Sequence, residues 1–188
     1  MFKIANLQTS EANSHSKRLA KLFEGMCFSI TIQNSNSNQM DSDIDVRIIE
    51  KISDSREYTV SKSDSLVFAD GEKFGELDLV FRDRRKISYY MEIEKSNKKT
   101  LWFDYIKILT KLESDSDGLG IMMCPVNYAH SIGVWNLYQE AVIYKNHLKR
   151  VFGSNSIDRV SVLGYTQYAF LDRKWQKFDS NVVKRIKN

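Results

Sequence analysis

Cysteine, histidine and proline are scarce in this chain: two, three and one of them, respectively, among 188 residues. Two cysteines are too few for a disulfide framework. Cys27 and Cys124 both stand in apolar sequence, where a free thiol behaves as a small buried hydrophobe, and they predict a reducing cytoplasm as the setting. No C-x-x-C pair is present and His15, His130 and His147 are scattered, which argues against a structural zinc site. The N-terminal stretch MFKIANLQTSEANSHSKR lacks the apolar core of a secretory signal, and no run approaches the roughly 18 apolar residues of a membrane span. The sequence therefore predicts a cytoplasmic chain with no membrane partner. With 42% hydrophobic residues and no internal repeat, it predicts one domain over residues 1–188.

What the chain does have is GELDLVFRDRRKISYYMEIEK, residues 75–95. Side chains at i and i+2 of a strand share a face. Glu76, Asp78 and Val80 thus line one side of a first strand, and Tyr90, Glu92 and Glu94 one side of a second, with Met91 and Ile93 on the opposite, apolar side. Burying an ionised carboxylate costs several kcal/mol or more unless something compensates it. A hard divalent cation would do so, since Mg²⁺ is held by one or two carboxylates together with waters and substrate phosphates. The same alternation also describes an ordinary amphipathic hairpin with a solvated acidic face.

The elements that follow narrow the choice. After the polar stretch SNKK, Thr100 stands as an N-cap before LWFDYIKILTKLE, in which Leu101, Tyr105, Ile108, Leu109 and Leu112 recur at helical spacing. A loop, SDSDG, leads to the apolar run Leu119 to Cys124, closed by Pro125, which has the pattern of a strand buried on both faces. The acids precede a strand–helix–strand crossover.

Over roughly residues 64–124, about a third of the chain, this order resembles the PD-(D/E)xK nuclease superfamily. Gly75-Glu76-Leu77-Asp78-Leu79-Val80 resembles its G-x-x-D strand, and Tyr90-Met91-Glu92-Ile93-Glu94 its hydrophobic-(D/E)-x-K strand. Glu94 stands where the superfamily usually has lysine, a form similar to that of BamHI-like restriction endonucleases, and Lys95 follows on the other face. The resemblance implies a restriction-endonuclease-like three-layer α/β/α fold with a mixed central sheet flanked by helices. It also implies hydrolysis of DNA phosphodiesters with one or two Mg²⁺ ions, for which Mn²⁺ can substitute. Asp78 and Glu92 would be metal ligands, joined by the Ile93 carbonyl and by Glu76. Glu94 would be general base or a further ligand, with Lys95 as the second candidate. Small size and the E-x-E form imply a type II restriction endonuclease acting on double-stranded DNA as a homodimer, two sites meeting a palindrome across a two-fold axis. Repair, junction resolution and other defence nucleases share the site, and the loss of lysine equally fits an inactive nuclease-like binding module.

The net charge of +4 equals the excess of the C-terminal segment alone, where Arg173, Lys174, Lys177, Lys184, Arg185 and Lys187 outnumber Asp172 and Asp179. Lys98 and Lys99, beside the acids, and Arg84 and Arg85, in the hairpin turn, are the expected phosphate contacts. Lys145, Lys149 and Arg150 close a second helical pattern over residues 132–150, in which Val134 would pack on the sheet. A first helix is expected within residues 11–26; the resemblance implies that such an early helix can bring a further acid to the site, here Glu24 near its end, which otherwise reads as a plain surface acid. The polar run Asn34 to Asp43 reads as a connection or a DNA-contacting arm. IDVRIIEKI, REYTV and SLVFADGEKF read as strands with a turn at Asp70-Gly71, and VSVLGY and YAFLD as two closing strands. Trp102, Trp135 and Trp175 read as core or helix-face anchors before base-stacking platforms, and Trp175, in the basic tail, is the one to test for stacking.

Overall fold

The computed structural model describes residues 1–10, 13–32, 40–61, 65–67, 71–95, 98–130, 133–153 and 155–187. Most of the polar run after Gln33, Asp70 of the expected turn and Ser96-Asn97 lie outside them. The chain opens with β1 (Phe2–Thr9), α1 (Ser14–Phe23), β2 (Cys27–Phe28), β3 (Ile30–Ile32), β4 (Met40–Ser42), α2 (Ile44–Asp54) and β5 (Tyr58–Ser61). Next come β6 (Ser65–Val67), β7 (Lys73–Glu76), β8 (Leu79–Asp83), β9 (Ser88–Ile93), α3 (Leu101–Ser114) and β10 (Leu119–Pro125). The remainder is β11 (Tyr128–His130), β12 (Gly133–Trp135), α4 (Leu137–Phe152), α5 (Asn155–Asp158), β13 (Val160–Leu171), β14 (Lys174–Lys177) and α6 (Ser180–Lys187).

One mixed sheet runs in the order β2-β1-β13-β10-β9-β8-β5, with β14 also paired to β13. Its centre is parallel, β9 beside β10 and β10 beside β13. These pairs are joined through α3 and through α4, because parallel neighbours need a crossover long enough to return the chain to the same end. The β8–β9 hairpin and β5 extend the sheet antiparallel. Pleating sends alternate residues of β9 to two cores. Tyr89, Met91 and Ile93 enter the core built with α1, α2 and α6, whereas Tyr90 enters the one built with α3, α4 and α5. The result is the expected three-layer α/β/α arrangement, and Glu92 is carried toward α3. Among the described residues no helix is long and apolar enough to cross a membrane.

Several local expectations are overturned. IDVRIIEKI is helix α2, not a strand: Ile44, Ile48 and Ile52 are four residues apart and all buried, so one helical stripe accounts for the apolar positions that resemble a β-branched strand. The expected helix over 132–150 begins only at Leu137; Val134 lies on β12 and is exposed. The two closing strands are one, β13. Cys27 is exposed, while Cys124 is buried as expected.

Close approach of α3 to the sheet depends on Gly120. A Cβ there would lie 2.4 Å from Ile108 Cγ2 and 2.9 Å from Val160 Cγ2, inside van der Waals contact. Gly120→Ala is expected to destabilise the fold by about 1–3 kcal/mol, measurable as a lower Cm in urea with an unchanged m-value.

Candidate active site

The β8–β9 register pairs Leu79 with Met91 and Val80 with Tyr90. One step further sets Asp78, just before β8, opposite Glu92. The exposed Asp78 carboxylate accepts the Ile93 amide through Oδ2 at 2.7 Å. Glu92 is only 2% exposed. Its Oε2 meets Lys107 Nζ at 2.5 Å, and the same ammonium lies 3.1 Å from Asp104 Oδ1 and donates to the Glu76 carbonyl at 3.3 Å. Asp104 and Lys107 are both buried on α3, i and i+3 on the face it turns to the sheet. Gly75 leaves room for this lysine, since a Cβ there would lie 3.3 Å from Lys107 Cδ.

The site thus sets Glu92 and Asp104 on one buried ammonium, with exposed Asp78 opposite Glu92 at the margin of the core. Burial, then the nearby Asp78 carboxylate, pushes the Glu92 carboxyl up to about 9, against the pull of Lys107. Burial likewise raises Asp104, opposed by Lys107. Burial disfavours the charged form of Lys107, but its pairing with Glu92 and Asp104 prevails and holds it above the ordinary lysine value. Glu92 Oε1 is buried with no hydrogen-bond partner among the described residues. A buried oxygen of this kind is costly unless a ligand completes it. Among the described residues no group of three or more His, Cys, Asp or Glu side chains is arranged to hold a metal ion. Two carboxylates, one of them with an uncompensated oxygen, nevertheless fit a hard cation that keeps several waters.

The other expected residues divide. Glu94 is buried, receives a hydrogen bond from Thr100 Oγ1 and acts electrostatically on Asp104, so it belongs to the same neighbourhood. Thr100 stands at the start of α3 as expected, yet its hydroxyl does not cap the helix. Lys95 turns the other way, pairing with Asp45 of α2 at 2.9 Å and donating to the Ser42 carbonyl. The Glu76 carboxylate is drawn out to Lys73 and Ser65; only its carbonyl meets Lys107. Lys98 pairs with Glu140 of α4 at 2.9 Å, and Lys99 is exposed in the turn before α3.

Arg84 and Arg85 occupy the opposite end of the β8–β9 hairpin, with the five residues of β8, roughly 20 Å of strand, between Arg84 and Asp78. There Arg84 donates to the Arg56 carbonyl, and Arg85 lies against Asp83, whose buried carboxylate also binds Arg18. Glu24 accepts the amides of Asn6 and Leu7 at the irregular turn of β1, not a place in the acidic cluster. Trp175 is covered by Lys3, 4.5 Å from its ring, and by Phe170.

Sequence reasoning missed Asp104 and Lys107. The signal was present: both interrupt the apolar stripe of Leu101, Tyr105, Ile108 and Leu112, where a charged residue must have a buried partner.

A family model described as "Putative halobacteria restriction endonuclease" matches residues 5–165. The chain belongs to this family. The matched segment contains the whole candidate site of this restriction endonuclease family member, from Asp78 to Lys107, and both parallel crossovers. No curated protein and no solved structure matches the chain.

Proposed function

We propose that the protein is a Mg²⁺-dependent endodeoxyribonuclease of the PD-(D/E)xK type, cutting double-stranded DNA at specific sites as a homodimeric type II restriction enzyme inside the cell. The observation that carries this reading is the meeting of exposed Asp78, buried Glu92 with its uncompensated Oε1, and buried Lys107 at one edge of the sheet. Asp78 and Glu92 would hold the metal, Mg²⁺ or Mn²⁺, with the Ile93 carbonyl as a third donor. Bound there, the ion would polarise the phosphoryl oxygen and lower the pKa of the attacking water.

The protein's own groups account for the remaining work. Lys107, already charged and desolvated, is placed to stabilise negative charge as it develops on the phosphoryl group, where a preorganised cation in a dry setting has its largest effect. This is the role that the sequence suggested for Lys95, which the structure turns toward α2. Asp104 holds the ammonium in position from below. Glu94, fixed by Thr100, is the remaining base candidate. Lys98 and Lys99 flank the acids and would bind the backbone phosphates of the substrate.

The test is incubation of supercoiled plasmid with the protein and Mg²⁺. Discrete linear fragments are expected from the wild type, and none from Asp78→Asn. A smear would point to a non-specific nuclease of the same chemistry. Retained DNA binding without cleavage in either Mg²⁺ or Mn²⁺ would replace the enzyme by a binding module.

A further inference from the structure

β13 runs well past the end of its parallel neighbour. Val160–Tyr165 pair with β10, yet the strand continues to Leu171. β1 pairs with one side of this extension and β14 with the other, in the lane that β10 vacates after Pro125. We infer that the open face of this three-stranded extension binds the phosphate backbone of duplex DNA to one side of the scissile bond. This rests on the nuclease reading and adds to it the track on which the substrate lies.

The register fixes which face is open. Glu92, Met122 and Val162 form one row across β9, β10 and β13. Tyr168 is six residues beyond Val162 on the same strand and so shares their face of the sheet, and its partners Lys3 and Lys177 share it too. Phe170 and Trp175, paired with each other two residues further on, complete it. Phe170 and Lys177 are exposed, and Lys3, Tyr168 and Trp175 half-buried. The opposite face is closed, since Phe2, Ile4 and Ala169 belong to the core that also holds Val182 and Val183 of α6. Six residues of strand and one strand spacing put Lys177 roughly 20 Å from Glu92, beyond the edge at which the acids stand. A duplex rising about 3.4 Å per base pair covers that distance in about six pairs.

The chemistry of the face is that of an anion track. None of its five residues is acidic, and neither Lys3 nor Lys177 has a carboxylate partner among the described residues. Lys95, Lys98 and Lys107, by contrast, are each paired with an acid. The Lys3 ammonium is held 4.5 Å from the centre of the Trp175 ring and 5.8 Å from that of Tyr168, so it keeps its charge while losing less freedom when a phosphate arrives. Trp175 is thereby a positioning residue, not a stacking platform. Protection of a sheet edge does not account for Lys3, because β1 is paired there on both sides, with Cys27 and with Tyr168.

The experiment follows binding of an end-labelled duplex of roughly 24 base pairs to the intact chain by fluorescence anisotropy, in chelator, over about 0.05–0.3 M salt. Lys3→Gln/Lys177→Gln is expected to lower the slope of log K against log salt by about 1.8, two contacts at about 0.9 each, and to weaken binding at about 0.1 M salt at least about 10-fold. Lys17→Gln/Lys21→Gln removes the same charge from α1, on the other side of the sheet, and should leave the slope within about 0.5 of the wild type. An unchanged slope in the first pair, an equal loss in both, or a wild type that does not bind the duplex overturns the inference. So does a first pair that sediments as monomer from a dimeric wild type with its slope unchanged, which would give the face to a second copy. Plasmid cleavage separates the two readings. Cutting with an unchanged slope sinks the inference alone; the expected slopes with no cutting in Mg²⁺ or Mn²⁺ sink the nuclease reading alone.

Discussion

Lys107→Gln is expected to lower the single-turnover rate of DNA cleavage by about 10²–10³-fold at saturating Mg²⁺, the loss typical when one preorganised charge donor is removed from a reacting centre. Glutamine keeps an amide donor within reach of Glu92 and Asp104, so the buried acids are not stranded as they would be by alanine, for which breaking a buried pair costs about 3–5 kcal/mol. The rate loss should therefore come with a folded protein, checked by its circular dichroism and melting transition. Lys95→Ala provides the contrast. Its ammonium faces Asp45 across the other core, and cleavage should fall by less than about 3-fold, within the reach of surface ion-pair effects. Loss of activity in Lys95→Ala with Lys107→Gln unaffected would reverse the two assignments.

Glu92→Gln separates chemistry from stability. Removing one of the two carboxylate ligands is expected to reduce cleavage by at least about 10³-fold, since the metal-bound water and the charge stabilisation are lost together. Stability should respond in the opposite sense. The Glu92 carboxyl titrates at about 9 in the folded chain, against an ordinary value of 4.5. Between those limits the folded state keeps a proton that the unfolded chain has released, so this group makes the wild type progressively less stable as pH rises from about 5 toward 9. The amide of the variant cannot titrate. The difference in unfolding free energy, variant minus wild type in the presence of a chelator, should thus increase with pH over that window. A flat difference would mean that Glu92 is ionised throughout. The same linkage predicts that wild-type cleavage at limiting Mg²⁺ rises with pH, because proton and cation compete for one carboxylate.

How much of this is legible in the sequence depends on whether a residue's role is set by its own strand or by a partner element. Period and pairing are enough to set Asp78 opposite Glu92, as the β8–β9 register has it, since both follow from a two-residue repeat and a short hairpin. The layers are legible from the apolar run of β10 and the helical stripe of α3. What fails requires knowledge of where a second element lies. Lys95 is one residue past the strand's last inward position, and Asp45, which draws it away, sits on a helix whose sequence reads as a strand. Glu76 shares parity with Asp78, but Lys73, three residues earlier, holds its carboxylate outward. Lys107 is hidden because its partner is 15 residues away on another element, though its place within an apolar stripe is visible. Val134 falls into the α4 pattern because the helical spacing continues backward through the hairpin that precedes it.

The hydrogen bond from the Ile93 amide to Asp78 has a further bearing on how such a site can drift. One oxygen of the exposed acid is anchored to the backbone of the neighbouring strand, so the spacing between the two carboxylates is inherited from main-chain pairing, not from the identity of the surrounding side chains. Neighbouring residues can be exchanged for others that keep the two cores filled without altering that spacing, so long as the hairpin keeps its alignment. A single-residue insertion or deletion in the Arg84–Ile87 turn, by contrast, would slide one strand past the other and send Glu92 to the opposite core. The turn's length, far from the chemistry, is the dimension of this hairpin least free to vary.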